Sequence, residues 1–356
     1  MLTSFSVKNY RGFRDLKIDG LTRVNLIAGE NNTGKTSLLE AILLMLDPSH
    51  DVIRTICVDR GVGGIQSNFA DLVKWLFTGG VTSSPIEFHS TFDGPIYGGK
   101  QDATEVNGKT TLRITNPTTL MREEPDRYRE VAFVTVRDWQ QALLCDYKDS
   151  SESRSWYMLQ SNSGVFSVSP VPLKEHRFIA SSGSPLRLND DFSSFKIGKN
   201  LSSILATLRY AEPRLVDLNL ATLGERPEIF ADIGTESLVP LAFMGEGIRR
   251  LLAVVINIAK CPNGVVLIDE IENGLHHSIL EKVWQAIGEA ARAVNCQVFA
   301  TTHSYECIQA AQVTFADNGE EDLTFIRLER KGEQIRAVVV NEENLETAIG
   351  HDWEMR

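Results

Sequence analysis

Apolar and polar positions change their rhythm several times along the 356-residue chain. Leu2-Thr3-Ser4-Phe5-Ser6-Val7 alternates, Tyr10-Arg11-Gly12-Phe13 bends, and Arg14 to Ile18 alternates again, which predicts an antiparallel strand pair. Val24-Asn25-Leu26-Ile27-Ala28 reads as a short buried strand, and Ser37 to Leu46 as an apolar helix without a breaker. Helical patterning continues from Pro48 to Phe77. Between 84 and 180 the pattern changes to short strands at Ile86–Phe92, Thr110–Thr115, Val131–Val136, Trp156–Gln160 and Val165–Val168, parted by Gly, Asn, Ser and Asp turns. The loops Gly94–Gly108 and Asp146–Ser155 are polar and read as mobile. Residues 190–208 are helical again, 213–220 extends that section, and Glu228–Asp232 is a strand. A glycine-flanked turn at Met244–Gly247 opens an apolar helix reaching Ile256. Val265–Ile268 and Gln297–Ser304 read as buried strands around a helix at 278–294. A helix from Tyr305, a strand pair near Leu323–Ile326 and Ile335–Val340, and a final helix from Glu342 close the chain.

The junctions of this pattern carry its chemistry. Between the Val24–Ala28 strand and the helix that follows, Gly29-Glu30-Asn31-Asn32-Thr33-Gly34-Lys35-Thr36 fits the phosphate-loop spacing of glycine, four residues, then Gly-Lys-Thr. Strand, glycine loop and helix is the context that spacing needs. Backbone N–H groups and the positive helix end then converge on nucleotide phosphates. Lys35 is expected on the β and γ phosphates and the Thr36 hydroxyl on Mg2+. Asp269 and Glu270 follow Val265–Ile268, at the strand end that lines the ligand crevice of a parallel sheet. Asp269 is placed to hold Mg2+, directly or through water, and Glu270 to polarise an attacking water. His303 ends the next buried strand and reads as a γ-phosphate sensor rather than a structural histidine. The glycine turn at 244–247 is weak by itself, because glycine-flanked helix starts are common. Tyr10 and Arg11 read as structural rather than as contacts to a base.

Composition narrows the setting. An apolar fraction of 42% and a charged fraction of 23% are ordinary for a globular chain. A net charge of −11 supplies no global field toward nucleic acid, although a local basic groove stays compatible with it. The five cysteines are widely spaced without a C-x-x-C, which points to neither a disulfide framework nor a zinc site, and to a reducing compartment. The N-terminus lacks a signal-peptide pattern and the apolar runs are too short to span a bilayer. A cytoplasmic protein with no membrane partner is expected.

Taken in order, these motifs resemble the ABC-type ATPase head of the RecF, SMC and OLD group among bacterial AAA-like ATPases, over about 1–50 and 190–310. Gly29–Thr36 matches the Walker A loop, Met244–Gly247 resembles the signature motif, and Leu267–Glu270 the Walker B strand. Glu272–His276 looks like the D-loop of this group, His303 like its switch histidine, and Asn9–Phe13 like its start. The resemblance implies an α/β P-loop NTPase fold, with a mixed central sheet, an antiparallel β insertion and a helical lobe. Its parts are expected at 1–83 (core with Walker A), 84–188 (β insertion), 189–260 (helical lobe with signature) and 261–356 (core with Walker B, D-loop and switch histidine). It assigns ATP to Gly29, Asn31, Asn32, Thr33, Gly34, Lys35, Thr36 and Ser37, Mg2+ to Thr36 and Asp269, and catalysis to Glu270 and His303. Gly245 and Gly247 are implied to reach the γ-phosphate held by a second, head-to-tail copy.

Departures from the group sharpen the expectation. No heptad pattern supports a coiled-coil arm, and the segment after His303 is too short for a nuclease domain. The signature reads Met-Gly-Glu-Gly rather than Ser-Gly-Gly, so Glu246 is assigned no contact. Gln66 and Gln160 are unsupported candidates for the Q-loop glutamine. The expected role is a switch ATPase whose ATP-dependent homodimer, or higher homo-oligomer, controls a separately encoded effector or nuclease in bacterial antiphage defence. The alternative is a DNA-clamping ATPase of repair or replication, with Arg249-Arg250 and Lys196–Lys199 as basic candidates. A scaffold without hydrolysis is disfavoured, since every hydrolytic residue of the motifs is present.

Overall fold

A computed structural model describes residues 1–60, 73–97, 99, 102–133, 139–161, 164–167, 171–181, 188–197, 201–223, 226–316 and 322–340. In chain order, β1 (Leu2–Tyr10), β2 (Phe13–Asp19) and β3 (Val24–Gly29) precede α1 (Lys35–Leu46) and α2 (His50–Asp59). Next come β4 (Ile86–Phe92), β5 (Val106–Thr115), α3 (Pro117–Glu123), α4 (Pro125–Phe133), β6 (Trp139–Lys148), β7 (Ser153–Ser161) and β8 (Gly164–Ser167). The remainder is β9 (His176–Ile179), α5 (Leu188–Ile197), α6 (Leu201–Leu208), β10 (Asp217–Leu223), β11 (Arg226–Asp232), β12 (Val239–Pro240), α7 (Glu246–Ala259), β13 (Val265–Ile268), α8 (Leu280–Ala293), β14 (Gln297–Thr301), α9 (Tyr305–Ala316), β15 (Leu323–Lys331) and β16 (Gln334–Val340). The chain divides into two compact units. The first holds Met1–Leu21, Asn32–Lys174 and Leu328–Val338, and the second Thr22–Asn31, Glu175–Arg327 and Val339–Arg356.

The first unit is built on an antiparallel sheet ordered β2-β1-β4-β5-β6-β7-β8. The N-terminal hairpin is hydrogen-bonded straight into it, with Val7 opposite both Leu16 and Phe88. Helix α1 is apolar nearly all round and correspondingly buried. Its one buried acid, Glu40, is 2% exposed and is held by Arg11 (2.9 Å) and Arg60 (2.9 Å), which compensates its charge. Tyr10 is fully buried, with burial raising its phenol pKa, so both residues of the bend serve the structure.

Three expectations for this unit are corrected. The strand predicted at Val131–Val136 is instead the end of helix α4 as far as Phe133, and 134–138 lie outside the described residues. The β-branched pattern there is overridden by a helical start at Pro125, a residue suited to the first helical position, with Tyr128 N–H donating to Glu124 C=O (2.9 Å). The missing strand is β6. Its Ala142 and Leu144 pack with Leu120, Val131 and Trp139 in a small core, while Leu143 and Cys145 are buried on the opposite side. Buried on both faces, this stretch shows no alternation. Asp146–Ser155 is likewise strand rather than loop: Asp146 faces Ser155, and only a short turn joins β6 to β7. That turn is closed by Asp149, whose carboxylate accepts from Ser151 N–H (2.6 Å), Ser151 Oγ (2.8 Å), Glu152 N–H (2.9 Å) and Tyr147 OH (2.9 Å). The Gly94–Gly108 loop ends earlier than expected, as β5 begins at Val106.

The second unit centres on the parallel strands β3, β14, β13 and β9, neighbours in that order. Every residue of β3, β13 and β14 is buried, and α7, α8 and α9 share one core with them through Leu251, Trp284 and Phe315. Strands covered on both sides read as unbroken apolar runs, which is why the sequence shows them so plainly. β10, β11 and β12 form a separate three-stranded antiparallel sheet. The helical extension expected at 213–220 is corrected: Asp217–Leu223 is a strand paired with β11. The helix expected from Glu342, residues 61–72 of the helical stretch before Phe77, and Gln66 fall outside the described residues. Gln160 lies on β7 opposite Val165, in the antiparallel sheet. All five cysteines are buried free thiols. Among the described residues, no helix is long and apolar enough to cross a membrane.

Candidate functional site

Parallel pairing sets the C-terminal ends of β3, β14 and β13 side by side in the second unit, with Thr301 opposite Ile27 and Ile268 opposite Ala300. Thr302 N–H donates to Ile27 C=O (2.9 Å) just beyond the ladder. Asp269 is buried, and its Oδ1 accepts from Thr301 Oγ1 at 2.7 Å. The same hydroxyl oxygen accepts from Glu270 N–H at 2.8 Å, so one threonine fixes both acids. Glu270 has φ +50°, a left-handed conformation unusual for glutamate and found where surrounding structure imposes it. Its carboxylate accepts from Asn273 Nδ2 (2.8 Å), which also donates to Ser181 C=O (3.2 Å). Glu272 in turn holds His303: its Oε1 accepts from His303 N–H (2.8 Å) and lies 3.1 Å from Nδ1.

The glycine turn packs against this acidic loop. Gly245 has φ 96° and ψ 157°, a backbone region essentially confined to glycine. Two residues on, a Cβ at Gly247 would come within 2.5 Å of Gly274 C=O, so the turn and the loop touch backbone to backbone. Phe243, just before the turn, is 83% exposed.

The Walker A segment leaves β3 at Gly29. Gly29 and Asn31 belong to the second unit and Asn32 to Ser37 to the first, so the chain passes from one to the other inside this loop. Asn32 (φ 63°) and Gly34 (φ 95°) turn the backbone into α1, and Thr33 is buried. A Cβ on Gly34 would meet Phe13 of β2 at 3.0 Å, and Arg330 donates to Asn32 C=O at 2.8 Å. Lys35, Thr36 and Ser37 occupy the first turn of α1, which has a glycine N-cap and no acidic residue, leaving the positive helix end suited to an anion.

Asp269 is a buried carboxylate in the second unit and Thr36 a hydroxyl residue in the first turn of α1 in the first unit, each an oxygen donor of the kind Mg2+ accepts. Among the described residues, no group of three or more His, Cys, Asp or Glu side chains is placed to hold a metal ion. Thr301, Asn273 and Glu272 are parts of this arrangement whose roles the sequence does not single out. Glu272 and Asn273 sit inside the D-loop match, so their positions were flagged without their roles. Nothing in local patterning marks Thr301, whose bonds reach a residue 32 positions earlier.

Residues 24–308 match a family described as "AAA domain, putative AbiEii toxin, Type IV TA system". A Helicobacter pylori protein named "ATP/GTP phosphatase" is 23% identical over 97% of this chain and 100% of its own length. A RecF protein of DNA replication and repair from Bacillus cytotoxicus is 37% identical over 21% of this chain and 16% of that protein. An SMC head solved in complex with the C-terminal winged-helix domain of ScpA shares the fold, with TM-score 0.50 at 15% identity over 98% of this chain and 99% of that one.

Proposed function

The chain belongs to the AAA-domain family that includes a putative AbiEii toxin of a type IV toxin–antitoxin system, and from that premise we propose a Mg2+-dependent ATPase that works as a dimerisation switch. Its architecture is that of an ABC-type ATPase head of the RecF and SMC group. The observation that carries the reading is the Thr301 hydroxyl, which holds Asp269 and Glu270 together where a buried parallel strand ends. In this assignment Lys35 binds the β and γ phosphates, assisted by the N–H groups of Gly29 and Asn31 to Ser37. Thr36 and Asp269 hold Mg2+, which when bound neutralises phosphate charge. Glu270, kept in place by Asn273, orients the attacking water, and His303, steadied by Glu272, senses the γ-phosphate. Gly245 and Gly247 present the signature turn to ATP on a second copy. The full-length similarity to an ATP/GTP phosphatase supports hydrolysis.

Binding then closes a head-to-tail homodimer and hydrolysis opens it, so a separately encoded effector reads the joined state in the cytoplasm. Membership of a family linked to a type IV toxin–antitoxin system supports an antiphage-defence setting. The RecF similarity favours a second reading, a clamp on DNA. Of its basic candidates, however, Arg250 is buried and Lys196 is engaged by Asp217 and Asn219, while Lys199 lies outside the described residues. An ATP-requiring, salt-dependent shift of duplex DNA would support that second reading.

Mass measurement with and without Mg-ATP tests the first. Lys35→Ala is expected to bind no nucleotide and stay monomeric. Glu270→Gln should bind ATP and accumulate as a dimer with hydrolysis reduced about 100-fold or more. A Glu270→Gln protein turning over at the wild-type rate removes Glu270 from the role of base.

A further inference from the structure

One side chain joins the signature turn to the acidic loop, and neither motif contains it. Arg250 lies four residues into α7, on the turn that follows Gly247, and is 7% exposed. Its Nη1 donates to Ala180 C=O at 2.6 Å; its Nη2 donates to Asp269 C=O at 2.5 Å and, more weakly, to Glu270 C=O at 3.3 Å. All three acceptors are main-chain oxygens just past the ends of the neighbouring parallel strands β9 and β13. Burial pulls the guanidinium pKa down, while the negative charges of Asp269, Glu270, Glu246 and Glu272 favour the charged form. An apolar side chain like the adjoining Leu251 and Leu252 would fill this place without that desolvation cost, so packing alone does not call for arginine.

We propose that Arg250 is a positioning residue that transmits the placement of the Met244–Gly247 turn to the backbone of Asp269 and Glu270. This rests on the ATPase reading above. The turn grips the acidic loop at two points: Gly247 lies against Gly274 at its far end, and Arg250 holds Asp269 and Glu270 at its near end. Glu270 sits between them in a left-handed conformation, so a shift of the start of α7 moves its peptide and its carboxylate together. A copy whose signature turn is engaged therefore has its own Glu270 set. Engagement at one nucleotide is coupled to readiness for hydrolysis at the other.

The test uses Arg250→Lys and Arg250→Gln in the full chain beside wild type and Glu270→Gln. Binding of a fluorescent ATP analogue is expected to change less than about threefold. kcat is expected to fall roughly 100-fold for Arg250→Gln and less for Arg250→Lys, since small misplacement of a reacting group costs that much. Adding Arg250→Gln to Glu270→Gln should lower the rate no further, because Arg250 acts through Glu270. Amide exchange at Glu270 and Ile271 should speed up in both Arg250 variants while distant helices stay protected. An unchanged kcat beside an active wild type, or multiplying losses in the double variant, overturns the coupling. A wild type without ATPase activity sinks the functional reading instead, and the exchange measurement then decides the coupling alone: unaltered exchange at Glu270 and Ile271 rejects it. Should Arg250→Gln fail to fold, Arg250→Lys carries the same comparisons.

Discussion

Gly245 and Gly247 are two residues apart, and each excludes a side chain for a different reason. Gly245 has nothing within 4 Å of where a Cβ would sit, so its requirement is conformational. Gly247 has an ordinary backbone and a carbonyl oxygen 2.5 Å from the same point. Gly245→Ala is therefore expected to cost about 1–3 kcal/mol through backbone strain, and Gly247→Ala a similar amount through displacement of the Asn273–Leu275 loop. Urea unfolding reads both, and midpoints equal to wild type would contradict this account of the turn. The sequence exposed these glycines through spacing, but not the difference between them, which depends on the dihedral of one and the distant neighbour of the other. Glu270 is a similar case: its identity was readable after an apolar run, whereas its left-handed backbone and its hold on Asn273 were not.

At the scale of elements, legibility followed burial. β3, β13 and β14 are covered on both faces and announced themselves as apolar runs, and the hairpin β1–β2 did so by alternation. β6 escaped because its outer face is polar in one part and buried under α3 and α4 in another, which mixes the two patterns. Its turn into β7 also hid a specific stabiliser. Burial alone would raise the Asp149 pKa, but the hydrogen bonds from Ser151, Glu152 and Tyr147 outweigh it, and the net shift is downward. A carboxylate lowered on folding stabilises the fold above its unfolded pKa of about 3.9 and loses that contribution as pH falls through the folded value. Asp149→Asn should thus cost about 1 kcal/mol at neutral pH, and the gap to wild type should narrow as the pH is taken down through the acid range in which the folded carboxylate becomes protonated. Urea midpoints at neutral and acid pH check the sign, and a gap that widens in acid would contradict it.

For the whole molecule, the sequence conveyed the fold class and the order of its motifs. It did not convey that Leu21, Asn31, Lys174, Arg327 and Val338 each end a segment of one unit before the chain enters the other. Such interleaving depends on contacts between distant segments, to which patterning is blind. The buried cysteines give a way to watch it. Cys57 and Cys145 belong to the first unit, and Cys261, Cys296 and Cys307 to the second. Burial pushes the Cys57 and Cys145 thiols up, and that of Cys307 to about 12. Only thiolates react readily, so the native protein should resist alkylation at neutral pH. Modification then records excursions in which a unit opens, and peptide mapping assigns each mark to its unit without a single substitution. Reagent counted against time becomes a separate clock for each half of the chain. Two marks running ahead of three, three ahead of two, or all five together would tell whether the halves open on their own or as one.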